Sequence, residues 1–233
     1  MSGEIPKELL EEIFEIEYLG VTKEKVTYMI PTDTGLDIIY DNDKDNPLAI
    51  RGGTQVIAKS KGSGIVMAKL VLPYTDPNNE NKFATISSDP PGMKTEYDSI
   101  IYKEFGKGKA IWISYPIEKI DCLPHKKTFI NIIKKIHTSE YNFSSDVSPV
   151  VELVVFSQPE YNRYIINLIN EQESLPPIPI YNFKIMLNIK SKGIAKIVSL
   201  TYKEKIKFSK KGEYVEMNVP KLELFNMILV EYK

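Results

Sequence analysis

Apolar residues along this chain follow two different periods, and the switch between them orders its elements. Residues 6–20, PKELLEEIFEIEYLG, place Leu9, Ile13 and Ile16 at i, i+4 and i+7. Leu10 and Phe14 widen that stripe, and Glu8, Glu11, Glu12 and Glu15 lie opposite it. The spacing predicts a helix that opens at Pro6, where a missing N–H costs nothing, and stops at Gly20. A stripe so short needs a larger body to dock on. Short β-rich runs then predict strands at 25–30, 36–40, 55–59 and 65–72, bounded by Pro31, Gly35 and the polar run 41–47. The intervening Lys61-Gly62-Ser63-Gly64 reads as a hairpin turn. Residues 73–97, carrying Pro73, Pro77, Pro90, Pro91 and Gly92, read as a long loop, a kind of segment that tends to carry function.

The run YDSIIYKEFGKGKAIWISYP predicts strands at 99–105 and 109–115, joined by Gly106-Lys107-Gly108. Glycines there supply the positive φ of a tight hairpin. A second helix is predicted at 125–137, with Phe129, Ile132, Ile133 and Ile136 as its apolar stripe and Lys126, Lys127, Lys134 and Lys135 facing water. Residues 138–149 are polar and aperiodic and read as a domain boundary. Strands are predicted beyond it at 150–156, 163–170, 181–189, 194–200, 205–209, 214–219 and 222–232. Phe183, Ile185, Leu187 and Ile189 alternate with polar residues, as do Val215, Met217 and Val219. Closely spaced short strands without a helix signal predict an antiparallel β-sandwich over 149–233. The first domain spans 1–140.

Composition narrows the function. The chain has 233 residues, enough for one or two domains, with 42% hydrophobic and 26% charged residues. Lys and Arg number 30 against 31 Asp and Glu, so the surface lacks the basic footprint of a nucleic-acid or anionic-membrane binder. Cys122 is the only cysteine, which excludes an intrachain disulfide and CxxC motifs. A lone thiol, no basic region followed by an apolar run near Met1, and no apolar stretch of about 20 residues lead to the expectation of a soluble, cytoplasmic protein.

Candidate chemistry is sparse. Sugar hydrolysis needs two carboxylates flanking one bond, but Glu11 and Glu12 sit on a wet helix face, and Asp41 and Asp43 in a polar run. Cys122 lacks the glycine-flanked elbow of an activated nucleophile, although His125 is close in sequence. His125 and His137, about 18 Å apart on one helix, cannot share a metal. Gly106-Lys107-Gly108-Lys109 is followed by AIWIS rather than a helix, so it reads as a turn and not a phosphate loop. Trp112, the single tryptophan, lies in a strand pattern that favours core packing over sugar stacking. Tyr74, Tyr97 and Trp112 are the aromatic candidates for ligand contact, with Tyr74 and Tyr97 in the long loop. No metal or cofactor is expected.

Taken in order, Leu72-Pro73-Tyr74-Thr75, Pro90-Pro91-Gly92 before Thr95-Glu96-Tyr97, Phe105-Gly106-Lys107-Gly108-Lys109 and His125 with Ile130 and Asn131 resemble the trimerisation domain of glycoside hydrolases of the β-galactosidase-trimerisation type. Residues 163–170, 179–189 and 219–225 resemble the β-sandwich that ends those enzymes. The resemblance implies an α+β, mainly β chain: a partial amidotransferase-like α/β domain with a mixed sheet, then the antiparallel sandwich. It also implies a non-catalytic region, since the family's catalytic (β/α)8 barrel alone needs about 250 residues. The partners implied are further copies of the chain or a glycoside hydrolase catalytic subunit. The alternative is a carbohydrate-binding module that uses loop or sandwich aromatics.

Overall fold

A computed structural model describes residues 7–39, 46–76, 78–84, 89–190 and 192–233, with side chains from residue 10 onward. It divides into two compact units, Met1–Thr138 and Ser139–Lys233.

The first unit runs α1 (Lys7–Phe14), β1 (Ile16–Val21), β2 (Val26–Pro31), β3 (Leu48–Arg51), β4 (Val56–Ser60), β5 (Ile65–Pro73), β6 (Pro91–Phe105), β7 (Gly108–Ile113) and α2 (Leu123–Ile136). Its sheet has the order β1-β4-β6-β5-β2-β3, with β7 also on β6. Every pairing is antiparallel. The mainly β, α+β class is the one observed, but among the described residues the mixed sheet expected of an amidotransferase-like domain is not formed. Parallel neighbours need a crossover of a dozen or more residues, usually helical. Here β6 and β7 join through a tight turn at Gly106 (φ 59°), and α2 follows the last strand instead of linking two.

Several local expectations change for physical reasons. The first helix ends at Phe14, because Glu15 takes a left-handed backbone (φ 51°) and the next residues leave to pair with β4. Ile16, counted as a helix-stripe residue, is buried from a strand. Pro6 and residues 40–45 lie outside the described residues. In place of a strand at 36–40 there is a turn that inserts Ile38 and Ile39 into the core. Gly35 makes that insertion possible, since a Cβ there would sit 1.8 Å from the Met67 carbonyl oxygen. Residues 61–64 do not close a hairpin, because β4 and β5 each pair with β6, which runs between them. β6 itself starts at Pro91, so the end of the expected loop is strand.

Neighbouring residues of β6 serve opposite faces. Ile100 joins a cluster with Met29, Ile50, Met67, Ile117 and Ile132 under α2. Ile101 joins Phe14, Ile16, Ala58 and Trp112 under α1. On α2 the buried positions are His125, Thr128 and Ile132. Ile133, placed in the stripe by sequence, is exposed.

Two buried polar groups hold the strands in register. Asp98 of β6 is 2% exposed; its carboxylate accepts from the Ser60 N–H of β4 at 2.6 Å and lies 2.8 Å from Lys69 Nζ of β5. Gln55 is fully buried, with Nε2 donating to Thr27 Oγ1 and Oε1 accepting from Ser114 Oγ, both at 2.6 Å.

The second unit contains β8 (Phe143–Ser145), β9 (Val151–Gln158), β10 (Arg163–Asn170), β11 (Ile180–Asn188), β12 (Ile194–Ser199), β13 (Glu204–Lys205), β14 (Lys207–Lys211), β15 (Tyr214–Leu222) and β16 (Phe225–Tyr232). They form two antiparallel sheets, β13-β12-β16-β10-β9 and β14-β15-β11-β8, around one core that includes Ile166, Leu168, Ile185, Met217 and Val230. The strand expected at 205–209 is two: β13 pairs with β12, and β14 pairs with β15 in the other sheet. The chain changes sheet at the buried Ile206, a corner typical of sandwiches. The segment read as a boundary contributes β8, which pairs with β11.

Candidate functional site

A cleft of about 750 Å³ opens in the first unit where β5 leaves the sheet and β6 enters it. Backbone chemistry shapes it. Tyr74 N–H donates to Pro90 C=O at 2.7 Å, and Gly92 passes so close to Tyr74 that a Cβ would lie 2.4 Å from the Tyr74 Cα. Tyr28 Oη donates to the Asp89 carbonyl and Thr75 N–H to Asp89 Oδ1, so one residue anchors both ends of the loop. Burial pushes the Tyr28 hydroxyl above its usual pKa; the Asp89 carboxylate acts the same way, while Arg51 opposes. Tyr28 therefore stays a neutral donor. Asp76 closes the next turn, with Oδ1 accepting from Asn78 N–H and its own N–H donating to Lys82 C=O.

Tyr74 and Met93 give the cleft apolar surface, and Lys23, Lys25, Lys82, Glu24, Asp76 and Asp89 give it charge of both signs. Such a wall can present an aromatic edge beside hydrogen-bonding groups, the combination a sugar ring uses. Asp76 and Asp89 each commit a carboxylate oxygen to a backbone N–H of their own loop. That places them as turn formers.

The structure brings only one of the sequence candidates here. Tyr74 lines the cleft and is 41% exposed. Tyr97 is half-buried on β6 and does not line it. Trp112 is 4% exposed in the cluster under α1, which corrects it from a stacking candidate to a core residue. His125 is buried, one ring nitrogen 2.6 Å from the Ala49 carbonyl oxygen, while Cys122 is an exposed thiol at the start of α2. Asp41 and Asp43 lie outside the described residues. Among the described residues no three His, Cys, Asp or Glu side chains group to hold a metal, and no helix is long and apolar enough to cross a membrane.

A second, smaller cavity of about 270 Å³ lies at one end of the sandwich, between Phe143, Tyr164, Leu187 and Asn188. Beside it Lys192 Nζ sits 3.7 Å from the Tyr232 ring centroid and 5.5 Å from that of Tyr164. A hydrogen bond to Tyr232 raises the Lys192 pKa, with burial opposing. Sequence reasoning missed this cluster; its trace is a tyrosine at one end of each of two strand patterns, Tyr164 opening β10 and Tyr232 closing β16.

No family model and no curated protein matches the chain. Among solved structures, α-L-fucosidase isoenzyme 2 from Paenibacillus thiaminolyticus, a glycoside hydrolase, is similar over 94% of this chain, with a TM-score of 0.70 and 16% identity. The match takes in 33% of the fucosidase, so this chain spans about a third of that protein's length. At this identity the likeness is one of fold.

Proposed function

We propose that this chain is a non-catalytic accessory region related to glycoside hydrolases, working by protein–protein contact as a homo-oligomer or beside a catalytic subunit. The observation that carries the reading is the likeness of almost the whole chain to one third of a fucosidase: both units recur together within a larger enzyme. The commitment of Asp76 and Asp89 to local turns supports it, because a hydrolytic pair needs two carboxylates facing one bond. The all-antiparallel first sheet does not support an amidotransferase-like ancestry, so the role is proposed without it.

The test assays the chain alone against aryl fucosides and galactosides, then adds a separate catalytic subunit and measures association by light scattering. The expected result is no turnover by the chain alone. Saturable hydrolysis that survives repurification and is lost on an Asp or Glu substitution would refute the proposal.

The Tyr74 cleft favours a second reading, carbohydrate binding without hydrolysis. Calorimetric titration with fucose and galactosides decides it: binding that Tyr74→Ala weakens at least about tenfold, as loss of a stacking aromatic does, supports this reading, and no millimolar ligand removes it.

A further inference from the structure

We infer that the open end of the sandwich binds a small sugar acid, one pyranose ring bearing a carboxylate, in the cavity walled by Phe143 and Tyr164. The site lies wholly in the second unit, so it stands whether or not the Tyr74 cleft takes carbohydrate.

Strand geometry sends alternate side chains to opposite faces. On β9 the inward series Val151, Leu153 and Val155 packs on the sandwich core. The next inward position is Ser157, paired with Tyr164 of β10. In the other sheet the core residue Leu187 of β11 pairs with Phe143 of β8. The apolar filling stops short at this end, and the space left is about 270 Å³. Sites for drug-sized ligands run to about 300–1,000 Å³, so this one holds a single ring and not a chain.

Its walls are fixed from within the chain. Tyr164 packs on Tyr232 with ring centroids 5.3 Å apart. Lys192 Nζ lies over both rings, 5.5 Å from the Tyr164 centroid and 3.7 Å from that of Tyr232. Phe143 is 36% exposed, and its backbone is held by the pairing of β8 with β11. One aromatic side chain from each sheet thus flanks the space, the apolar part of a site whose few polar groups set orientation.

Those polar groups are rich in donors. Among the described residues the Ser157 hydroxyl and the Asn142 carboxamide make no hydrogen bond, and both residues are open to solvent. Asn188 commits Oδ1 to the Lys190 N–H at 2.9 Å, which leaves its NH₂ to donate. Lys190 is exposed at the mouth and has no carboxylate partner among the described residues. No Asp or Glu is among the lining residues. Glu140, two residues before Asn142, accepts from Tyr214 Oη at 3.4 Å instead. An unopposed ammonium beside amide and hydroxyl donors fits a ring that offers one carboxylate and several hydroxyl oxygens. A neutral hexose leaves Lys190 unused, and a plain aromatic acid leaves the amides and the hydroxyl unused.

Amide chemical-shift titration of the full chain with sodium glucuronate and sodium galacturonate tests this. At least one uronate is expected to shift Asn142, Ser157, Asn188 and Lys190 saturably, with a Kd of about 1–10 mM. Glucose, which lacks the charge, and benzoate, which lacks the hydroxyls, bind at least about tenfold more weakly. Lys190→Gln weakens the uronate about tenfold and Lys190→Arg restores it, while Lys207→Gln, an exposed lysine of β14, leaves it unchanged. Raising salt from about 0.05 to about 0.5 M weakens binding in the wild type, a check that needs no variant. Methyl glucuronide separates the two sources of such a ring: binding equal to that of the free acid supports a glycan terminus, and its loss supports the free sugar acid. The inference is overturned if no shift saturates below about 50 mM, or if the shifts fall outside this cavity. Glucose or benzoate matching the uronates, or an affinity indifferent to both Lys190→Gln and salt, overturns it as well. Glycosidase activity in the chain alone would instead remove the accessory reading and leave the titration result standing.

Discussion

Replacing Gln55 with Met tests whether the buried polar cluster of the first unit specifies its sheet. Gln55 is 0% exposed and makes two short side-chain hydrogen bonds, to Thr27 Oγ1 and Ser114 Oγ at 2.6 Å each. Its contact with Ser99 Oγ at 3.4 Å is weaker. Thr27, Ser99 and Ser114 are themselves buried, so water cannot replace the lost amide. Methionine keeps the length and volume of the side chain while removing both polar atoms. Each orphaned hydroxyl costs about 1–3 kcal/mol, offset in part by the more favourable transfer of an apolar side chain, for a net loss of about 3 kcal/mol. Trp112 is the only tryptophan and lies in the core of this unit, so its fluorescence follows this unit's unfolding. With a urea slope of about 2 kcal/mol/M, the midpoint should fall by about 1.5 M. Adding Ser114→Ala, which removes one orphaned partner, should restore about half of the loss. A midpoint shift below about 0.3 M, with unchanged slope, would show that the cluster is hydrated or dispensable and refute the reasoning.

Three further outcomes are expected. Gly35→Ala drives a Cβ to 1.8 Å from the Met67 carbonyl oxygen, expels the 36–39 turn from the core, and lowers the thermal midpoint of the first unit sharply; Gly193→Ala, where a Cβ meets nothing within 4 Å, leaves it nearly unchanged. Asp98→Ala deprives the Ser60 N–H of its acceptor and Lys69 of its partner, and because Lys69 is 30% exposed and rehydrates, the loss in urea titration is about 2–3 kcal/mol. Glu15 is held below its ordinary value of 4.5 by a hydrogen bond from Lys103, then by the Ser63 N–H and the Lys103 charge. Its stabilising contribution is therefore present above pH 4.5 and lost as pH falls through the lower folded-state value. Glu15→Gln should flatten the acid limb of the stability profile, by a small amount because solvent screens an exposed pair; an acid limb identical to wild type would count against the pairing.

Much of the sandwich was legible because its signal is local. Residues 183–189 and 215–219 alternate by strand sterics alone, and the strands they predict are β11 and β15. The β6–β7 hairpin was equally legible, since Gly106 and the runs beside it lie within a few residues of one another. The candidate site was less so. Tyr74 could be picked as an exposed loop aromatic, but Asp89 and Tyr28, which anchor that loop, are 61 residues apart and carry no motif. Trp112, kept as a stacking candidate although its strand pattern favoured the core, packs in the cluster that holds Phe14 of α1.

By itself, then, the order of residues determined the balance of charge, the mainly β class and the strands whose alternation one face of water imposes. Tertiary structure decided which strands became neighbours, that β6 would separate β4 from β5, and that the first sheet would be wholly antiparallel. The physical reason is range. Propensity and periodicity act over a few residues, whereas pairing and the burial of Asp98 and Gln55 depend on contacts between segments tens of residues apart.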